Sequence, residues 1–203
     1  VAEAFKENFT AAGGTVLAEV YAPLGTTDFG SYLSQLPDAD VTFAGFVGAD
    51  AVQFVQQYAE FGLKDRMPLL GHGPLVTELV LNQIGPSAVG VGAGFYYSST
   101  LDNEENARFI STMKEANSEF IPSHFTAGAW ASGSVLLDAI QRVGGQAGDG
   151  EALAEAIRST EIDVPWGTLE FDAETGYAIA PTYFYTVVAD GDVLKHQVVG
   201  EIP

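Results

Sequence analysis

The sequence contains no cysteine, and this absence excludes several kinds of site. The 203 residues include no Cys and only three histidines. Structural disulfides, thiolate metal sites and a cysteine nucleophile are therefore excluded. The histidines are His72, His124 and His196, and they show none of the local spacing that zinc ligands usually have, so we expect no metal.

Basic residues are also scarce. The chain has 8 Lys and Arg against 27 Asp and Glu, which gives a formal net charge of −19. Nucleic acids and anionic membrane surfaces bind through basic patches, so we expect neither as a partner. The acidity fits a soluble protein that spreads its acids over the surface, and it also fits a salty or marine habitat.

Long apolar runs are missing as well. No run reaches the roughly 18 residues that a membrane helix needs, and no signal peptide is visible, so we expect no direct membrane insertion. Apolar residues nevertheless make up 47% of the chain, which is enough for a buried core. The chain begins at Val1 within a helical pattern, which we interpret as a protein whose front is missing.

Motifs of catalysis and of cofactor binding are not found. The glycines between Gly90 and Gly94 lie inside a strand pattern, whereas a dinucleotide fingerprint lies between a strand and a helix. Ser134 lacks the flanking glycines of a nucleophile elbow. Pairs of acids stand at helix starts, where they favour the helix dipole. Because no nucleophile, base and orienting group come together, we predict neither an enzyme nor a cofactor.

A β-α-β pattern at residues 41–73 organises the chain. Apolar strands at 41–46 and 68–71 flank a helix at 49–61, whose apolar residues recur at three- and four-residue steps. In open α/β sheets the ligand lies beyond the carboxyl ends of the strands. We therefore predict ligand contacts at residues that follow strands: Phe46, Val47, Gly48, His72, Gly73 and Tyr96. For His72, which stands between two glycines, the alternative is a solvated loop.

Helices and strands alternate through the first half of the sequence. Four helices and four strands are predicted there, at 1–12, 15–21, 29–36, 41–46, 49–61, 68–71, 75–83 and 88–98. This alternation indicates an α/β fold, a Rossmann-like parallel sheet with flanking helices. Three successive helices and a β tail follow, at 103–117, 124–143, 149–159, 166–171, 182–188 and 193–199. Asp190-Gly191 is typical of a hairpin turn.

Short strings spaced along nearly the whole chain carry a family resemblance. The strings are Thr27-Asp28-Phe29, Tyr32-Leu33, Gly45-Phe46, AEFGLK at 59–64, Leu69-Leu70-Gly71, Gly85 with AVGV at 88–91, TLDN at 100–103 with Asn106 and Phe109, LLDAI at 136–140, Trp166-Gly167 and Phe171-Asp172. Each string alone is weak, but their order and spacing are specific. In these strings the chain resembles the type I periplasmic solute-binding proteins of ABC importers, in the leucine/isoleucine/valine-binding branch.

The resemblance implies two Rossmann-like lobes joined by a three-strand hinge, with the ligand clamped between them. Residues 1–98 then belong to the second lobe, and residues 99–163 are helices that return to the first lobe. Residues 164–203 cross the hinge and supply terminal strands of the second lobe. The sheet of the first lobe and the first strand of the second would precede Val1, which makes this chain a carboxy-terminal portion.

The resemblance also implies a function. It implies a periplasmic protein that captures a small molecule and delivers it to the membrane permease of an ABC importer. Amino-acid binders of the family typically place an acid where this chain has His72 and Gly73, and an aromatic residue near Phe46. The missing acid favours an aromatic or aliphatic carboxylate over an amino acid. The alternatives are a ligand-sensing domain of the same fold and a Rossmann-like enzyme.

Overall fold

Helices and strands alternate in the first half of the protein. The computed structural model describes residues 1–145 and 148–202, and the element bounds below refer to those residues. The helices are α1 (Ala2–Ala11), α2 (Gly30–Leu33), α3 (Gly48–Glu60), α4 (Glu78–Ile84), α5 (Glu104–Ala116), α6 (His124–Arg142) and α7 (Gly150–Arg158). Short 3₁₀ helices lie at Gly73–Val76 and Gly85–Ala88.

The strands form two sheets within the described residues. They are β1 (Thr42–Ala44), β2 (Leu69–His72), β3 (Gly92–Phe95), β4 (Ile162–Val164), β5 (Gly167–Phe171), β6 (Ala178–Ile179), β7 (Thr182–Asp190) and β8 (Val193–Ile202). The larger sheet has the order β1-β2-β3-β7-β8, and β4-β5-β6 form an antiparallel sheet. The turn between β7 and β8 lies where Asp190-Gly191 predicts a hairpin turn.

The strands β1, β2 and β3 run parallel. Ala44 of β1 pairs with Gly71 of β2, and His72 of β2 pairs with Gly94 of β3. The helix α3 connects β1 to β2, and α4 lies between β2 and β3 in the chain. The predicted α/β fold, a Rossmann-like parallel sheet with flanking helices, is confirmed.

Residues 1–95 and 184–199 form one compact unit. The apolar face of α3 lies in its core, as predicted, with Phe54, Val55 and Tyr58 buried. The hydroxyl of Tyr58 lies 2.8 Å from the hydroxyl of Thr42 and 2.9 Å from the carbonyl oxygen of Met67. These hydrogen bonds fasten α3 to β1 and to the segment that precedes β2.

Residues 96–183 and 200–202 belong to a second compact unit. Polar caps begin its helices: Asn103 accepts the backbone N–H of Asn106, and Asp149 accepts two N–H groups of α7. Ser123 forms a capping box with Thr126 at the start of α6. Such caps satisfy N–H groups that have no partner inside the helix.

Arg142 joins α6 to α7 within this unit. Its Nε donates to the carboxylate of Asp138 at 2.9 Å, and its Nη1 donates to the hydroxyl of Ser159 at 3.0 Å. Its Nη2 donates to the carbonyl oxygen of Ala156 and to the hydroxyl of Thr160. One guanidinium therefore satisfies acceptors on both helices.

Several predicted elements differ from the structure. The predicted strand at 15–21 is wrong, since residues 14–22 form neither helix nor strand. The order of the larger sheet begins at β1, so within the described residues no strand pairs with that segment. The predicted helix at 29–36 shortens to α2. The predicted helix at 75–83 begins at Glu78, because a 3₁₀ helix occupies Gly73–Val76. The predicted strand at 88–98 shortens to β3.

The chain passes from one unit to the other after Phe95, after Tyr183 and after Val199. The assignment of residues 1–98, 99–163 and 164–203 to the lobes of a larger protein stays a prediction. That assignment includes residues 146–147 and 203, which lie outside the described residues. Among the helices of the described residues, none is long and apolar enough to cross a membrane.

Candidate functional site

Five of the six predicted ligand-contacting residues lie at the carboxyl ends of β1 and β2 in the first unit. The register of Ala44 with Gly71 brings the carboxyl ends of these strands to one edge of the sheet. Phe46, Val47 and Gly48 follow β1 at that edge, His72 is the last residue of β2, and Gly73 follows it. We call these five residues the strand-end edge.

Phe46 is anchored in an aromatic cluster. Its ring lies 5.0 Å from the ring of Phe29 in an edge-to-face arrangement and 4.6 Å from the ring of Phe54, measured between centroids. The side chain is half-buried and packs against the hydrophobic core. Such packing fixes the ring orientation, so the remaining surface of Phe46 is a rigid apolar wall.

The amino-terminal end of α3 follows Phe46. Val47 has extended backbone angles, its side chain is 45% exposed, and it makes no side-chain cap within the described residues. Gly48 begins the helix with φ of +57°, a conformation that glycine adopts without strain. Uncapped N–H groups at a helix start interact favourably with anions. The carboxylate of Asp50, in the same turn, accepts the N–H of Gly25 at 3.0 Å.

His72 is a half-buried neutral imidazole. Its Nδ1 is buried and has no hydrogen-bond partner among the described residues. Burial lowers the pKa of His72 below its ordinary value of 6.5, because the charged imidazolium is poorly solvated there. A neutral imidazole can donate one hydrogen bond and accept another, so His72 is suited to a polar group of a ligand.

Gly73 leaves no room for a side chain. A Cβ atom added at this position would lie 2.6 Å from Cβ of Phe95 and 2.9 Å from the hydroxyl of Tyr185. At Gly71, an added Cβ atom would lie 2.8 Å from the carbonyl oxygen of Ala44. Neither position can hold a carboxylate, so His72 is the one titratable side chain between residues 71 and 73.

The sixth predicted residue, Tyr96, belongs to the second unit. Its hydroxyl donates to the carbonyl oxygen of His124 at 2.8 Å, and its ring meets the ring of Trp166 edge to face at 4.8 Å. Burial raises the pKa of the Tyr96 hydroxyl, so the group stays protonated. Its role in ligand binding stays a prediction.

Tyr96 also lines an apolar cavity of about 500 Å³ that the sequence did not reveal. The cavity lies between small residues of α6 and apolar residues of the small sheet: Gly128, Ala131, Ser132, Val135, Leu136, Ile157, Trp166, Leu169, Phe171, Ala178 and Ala180. Gly128, Ala131 and Ser132 are the small residues of α6 that border this space.

The other two histidines are buried. His196 is 2% exposed and His124 is 4% exposed. Ser123 caps the helix that His124 begins. No group of three or more histidine or acidic side chains in residues 1–145 and 148–202 could hold a metal ion.

The sequence matches a known family over most of its length. A sequence model of the periplasmic binding protein family matches residues 1–192. The Leu/Ile/Val-binding protein homolog 6 of Brucella suis biovar 1 is 30% identical over 195 residues, which cover 93% of this chain and 50% of that protein. The chain spans about half the length of the curated relatives that it matches.

Solved structures share the fold. The ABC transporter substrate-binding protein from Sphaerobacter thermophilus has a TM-score of 0.95 and 32% identity, and the match covers 100% of this chain and 56% of that one. A solute binding protein of an R. palustris ABC transporter, in complex with benzoate, has a TM-score of 0.87 and 27% identity, with coverage of 98% and 53%. Since the family model, the relative and the structures agree with the resemblance in the sequence strings, the chain belongs to the periplasmic binding protein family.

Proposed function

We propose that this chain is the ligand-binding part of a periplasmic solute-binding protein without catalytic activity. The protein captures a small molecule between two lobes and delivers it to the membrane permease of an ABC importer. Ligand contacts in both lobes shift the population toward a closed form, which the permease recognises. Membership of a family of substrate-binding transport proteins supports this proposal.

The ligand that fits the strand-end edge best is an aromatic carboxylate. The observation that carries this choice is the lack of space at Gly73, where a carboxylate side chain that would meet an α-ammonium group cannot stand. The exposed start of α3 instead offers N–H groups to an anion. The half-buried ring of Phe46 offers an apolar surface to an aromatic ring. The R. palustris relative was solved with benzoate.

The proposed contacts divide according to chemistry. Backbone N–H groups at Val47 and Gly48 meet the carboxylate, Phe46 packs against the ring, and the imidazole of His72 binds a polar substituent. Gly73 lets the ligand approach the backbone.

A thermal-shift series on the longest natural chain that contains this sequence tests the ligand class. The panel is benzoate, 4-hydroxybenzoate, hexanoate, leucine and valine. A ligand at about 100 times its dissociation constant adds about 2.7 kcal/mol to the free energy of unfolding. We expect stabilisation by the benzoates. Stabilisation by leucine or valine alone would contradict an aromatic carboxylate as the ligand but would still support solute binding. If no member of the panel stabilises the protein, the alternative of a ligand-sensing domain with the same fold is favoured.

A pair of variants tests the place of binding. Val47→Asp puts a negative charge beside the start of α3, where it repels a bound carboxylate, so we expect benzoate to bind at least about tenfold more weakly. Leu24→Asp is the matched control, because Leu24 is 93% exposed on the same unit and outside the strand-end edge. Unchanged benzoate affinity in the Val47 variant would place the carboxylate elsewhere.

A further inference from the structure

A buried cluster lies behind the strand-end edge. It contains His196 of β8, Tyr185 of β7 and Glu78, the first residue of α4. The rings of His196 and Tyr185 stack with centroids 4.0 Å apart and an interplanar angle of 18°. The side chain of His196 is fully buried, and that of Glu78 is 11% exposed. The proposed ligand contacts do not include any of these three side chains.

Both ring nitrogens of His196 face acceptors. Nε2 lies 2.8 Å from the carbonyl oxygen of Val76, and Nδ1 lies 3.4 Å from the carboxylate of Glu78. A carbonyl oxygen only accepts hydrogen bonds, so Nε2 carries a proton. Nδ1 faces the carboxylate of Glu78, so the imidazole contacts the loop through both of its ring nitrogens.

Tyr185 packs directly against this contact. Its ring stacks on the imidazole of His196, which fixes the orientation of both rings. Its hydroxyl stays protonated, because burial and the charge of Glu78 raise the pKa of Tyr185 above its usual range.

The cluster contacts the loop after His72 at three residues, which are Gly73, Val76 and Glu78. The Tyr185 hydroxyl lies against Gly73, where it would be 2.9 Å from an added Cβ atom. The two ring nitrogens of His196 then hold Val76 and Glu78. All three contacts come from the hairpin of β7 and β8, so the hairpin fixes residues 73–78 and with them the position of His72.

We propose that His196 and Glu78 are positioning residues for ligand binding, and that their buried contact holds the loop at residues 73–78 so that His72 and Gly73 meet the ligand. This inference rests on the proposed function. Loss of the contact releases the loop. Ligand affinity is therefore expected to fall while the rest of the unit stays folded, an effect that a purely structural core residue would not cause.

Benzoate binding at neutral pH is the first test, on the longest natural chain that contains this sequence. We expect His196→Gln and Glu78→Gln to bind benzoate about tenfold more weakly than the wild type. Lys195→Gln is the matched control, since Lys195 is the exposed neighbour on β8 and pairs with Asp190. A His196→Gln variant that binds benzoate like the wild type would overturn the proposal.

Two ligand-free measurements keep this test separate from the proposed ligand. Nitrogen NMR of His196 is expected to show a protonated Nε2, as the contact with the carbonyl oxygen of Val76 requires, and an unprotonated Nε2 would overturn the proposal. Amide exchange at residues 73–78 is expected to rise in His196→Gln while residues of α3 stay protected, which also reports whether the variant folds. If benzoate does not bind, the proposed ligand fails, and these two measurements still decide the role of His196.

Discussion

Gly73 lies directly against Phe95, so that an added Cβ atom would come within 2.6 Å of Cβ of Phe95. Real Cβ contacts are not this short, and Phe95 is held at the end of β3 beside β2. Because Phe95 fills this space, the residue after His72 cannot carry a side chain, and the strand-end edge offers no side chain to a ligand at that position.

Gly73→Ala is expected to destabilise the protein. The extra methyl group forces Phe95 or the backbone to move, so the free energy of unfolding should fall by about 1–3 kcal/mol. Urea unfolding with an unchanged m-value measures the effect. Gly133→Ala is the matched control, since no atom lies within 4 Å of its added Cβ and the helix interior should gain about 1 kcal/mol. Equal midpoints for the two variants would contradict the steric argument.

His72 is expected to make stability depend on pH. Burial lowers the pKa of His72 in the folded state, so between the unfolded value of about 6.5 and the lower folded value the unfolded chain binds more protons. The free energy of unfolding should then fall as pH drops through that window, and level off below the folded pKa. Above the window both states are neutral and His72 contributes no pH dependence.

The His72→Gln variant tests this dependence. From about pH 8 to about pH 5.5, its free energy of unfolding should decrease by less than that of the wild type, as measured by urea titration. Gly133→Ala, which leaves every titratable group in place, should keep the pH slope of the wild type. A His72→Gln variant with the wild-type slope would show that burial of His72 does not oppose its protonation.

Arg142→Lys is expected to loosen the contact of α6 with α7. A lysine ammonium cannot reproduce the planar fork that reaches Asp138, Ser159 and Ala156 together. The loss should be about 1–3 kcal/mol in unfolding, since buried acceptors are left without a donor. Arg158→Lys should change stability by less than about 0.5 kcal/mol, because its pair with Glu155 is exposed. Equal effects in the two variants would contradict a special role for Arg142.

Local patterns predicted most helices and the parallel strands. Apolar residues at three- and four-residue steps fix the buried face of α3 whatever lies across from it, and Asn103 and Asp149 cap their helices through neighbours close in sequence. The alternation at residues 15–21 failed because a strand also needs a hydrogen-bonded neighbour. Within the described residues, the sheet supplies none at that place.

The candidate site was only partly predictable for the same reason. Strand ends locate Phe46 and His72, since the carboxyl ends of parallel strands share an edge. The reason for glycine at position 73 lies in Phe95 and Tyr185, which approach only in the folded chain. The burial of His196 likewise depends on the loop at residues 73–78, which no pattern in β8 indicates.

The tight packing at Gly73 also limits how this binding site can evolve. A lineage that acquired an acid here to recognise amino acids would first need smaller residues at Phe95 or Tyr185, and those changes alone leave cavities that destabilise the core. An acid that arrived first would meet the clash described above. Neither order of single substitutions passes through an unimpaired intermediate, so an acid at position 73 is hard to reach by single steps.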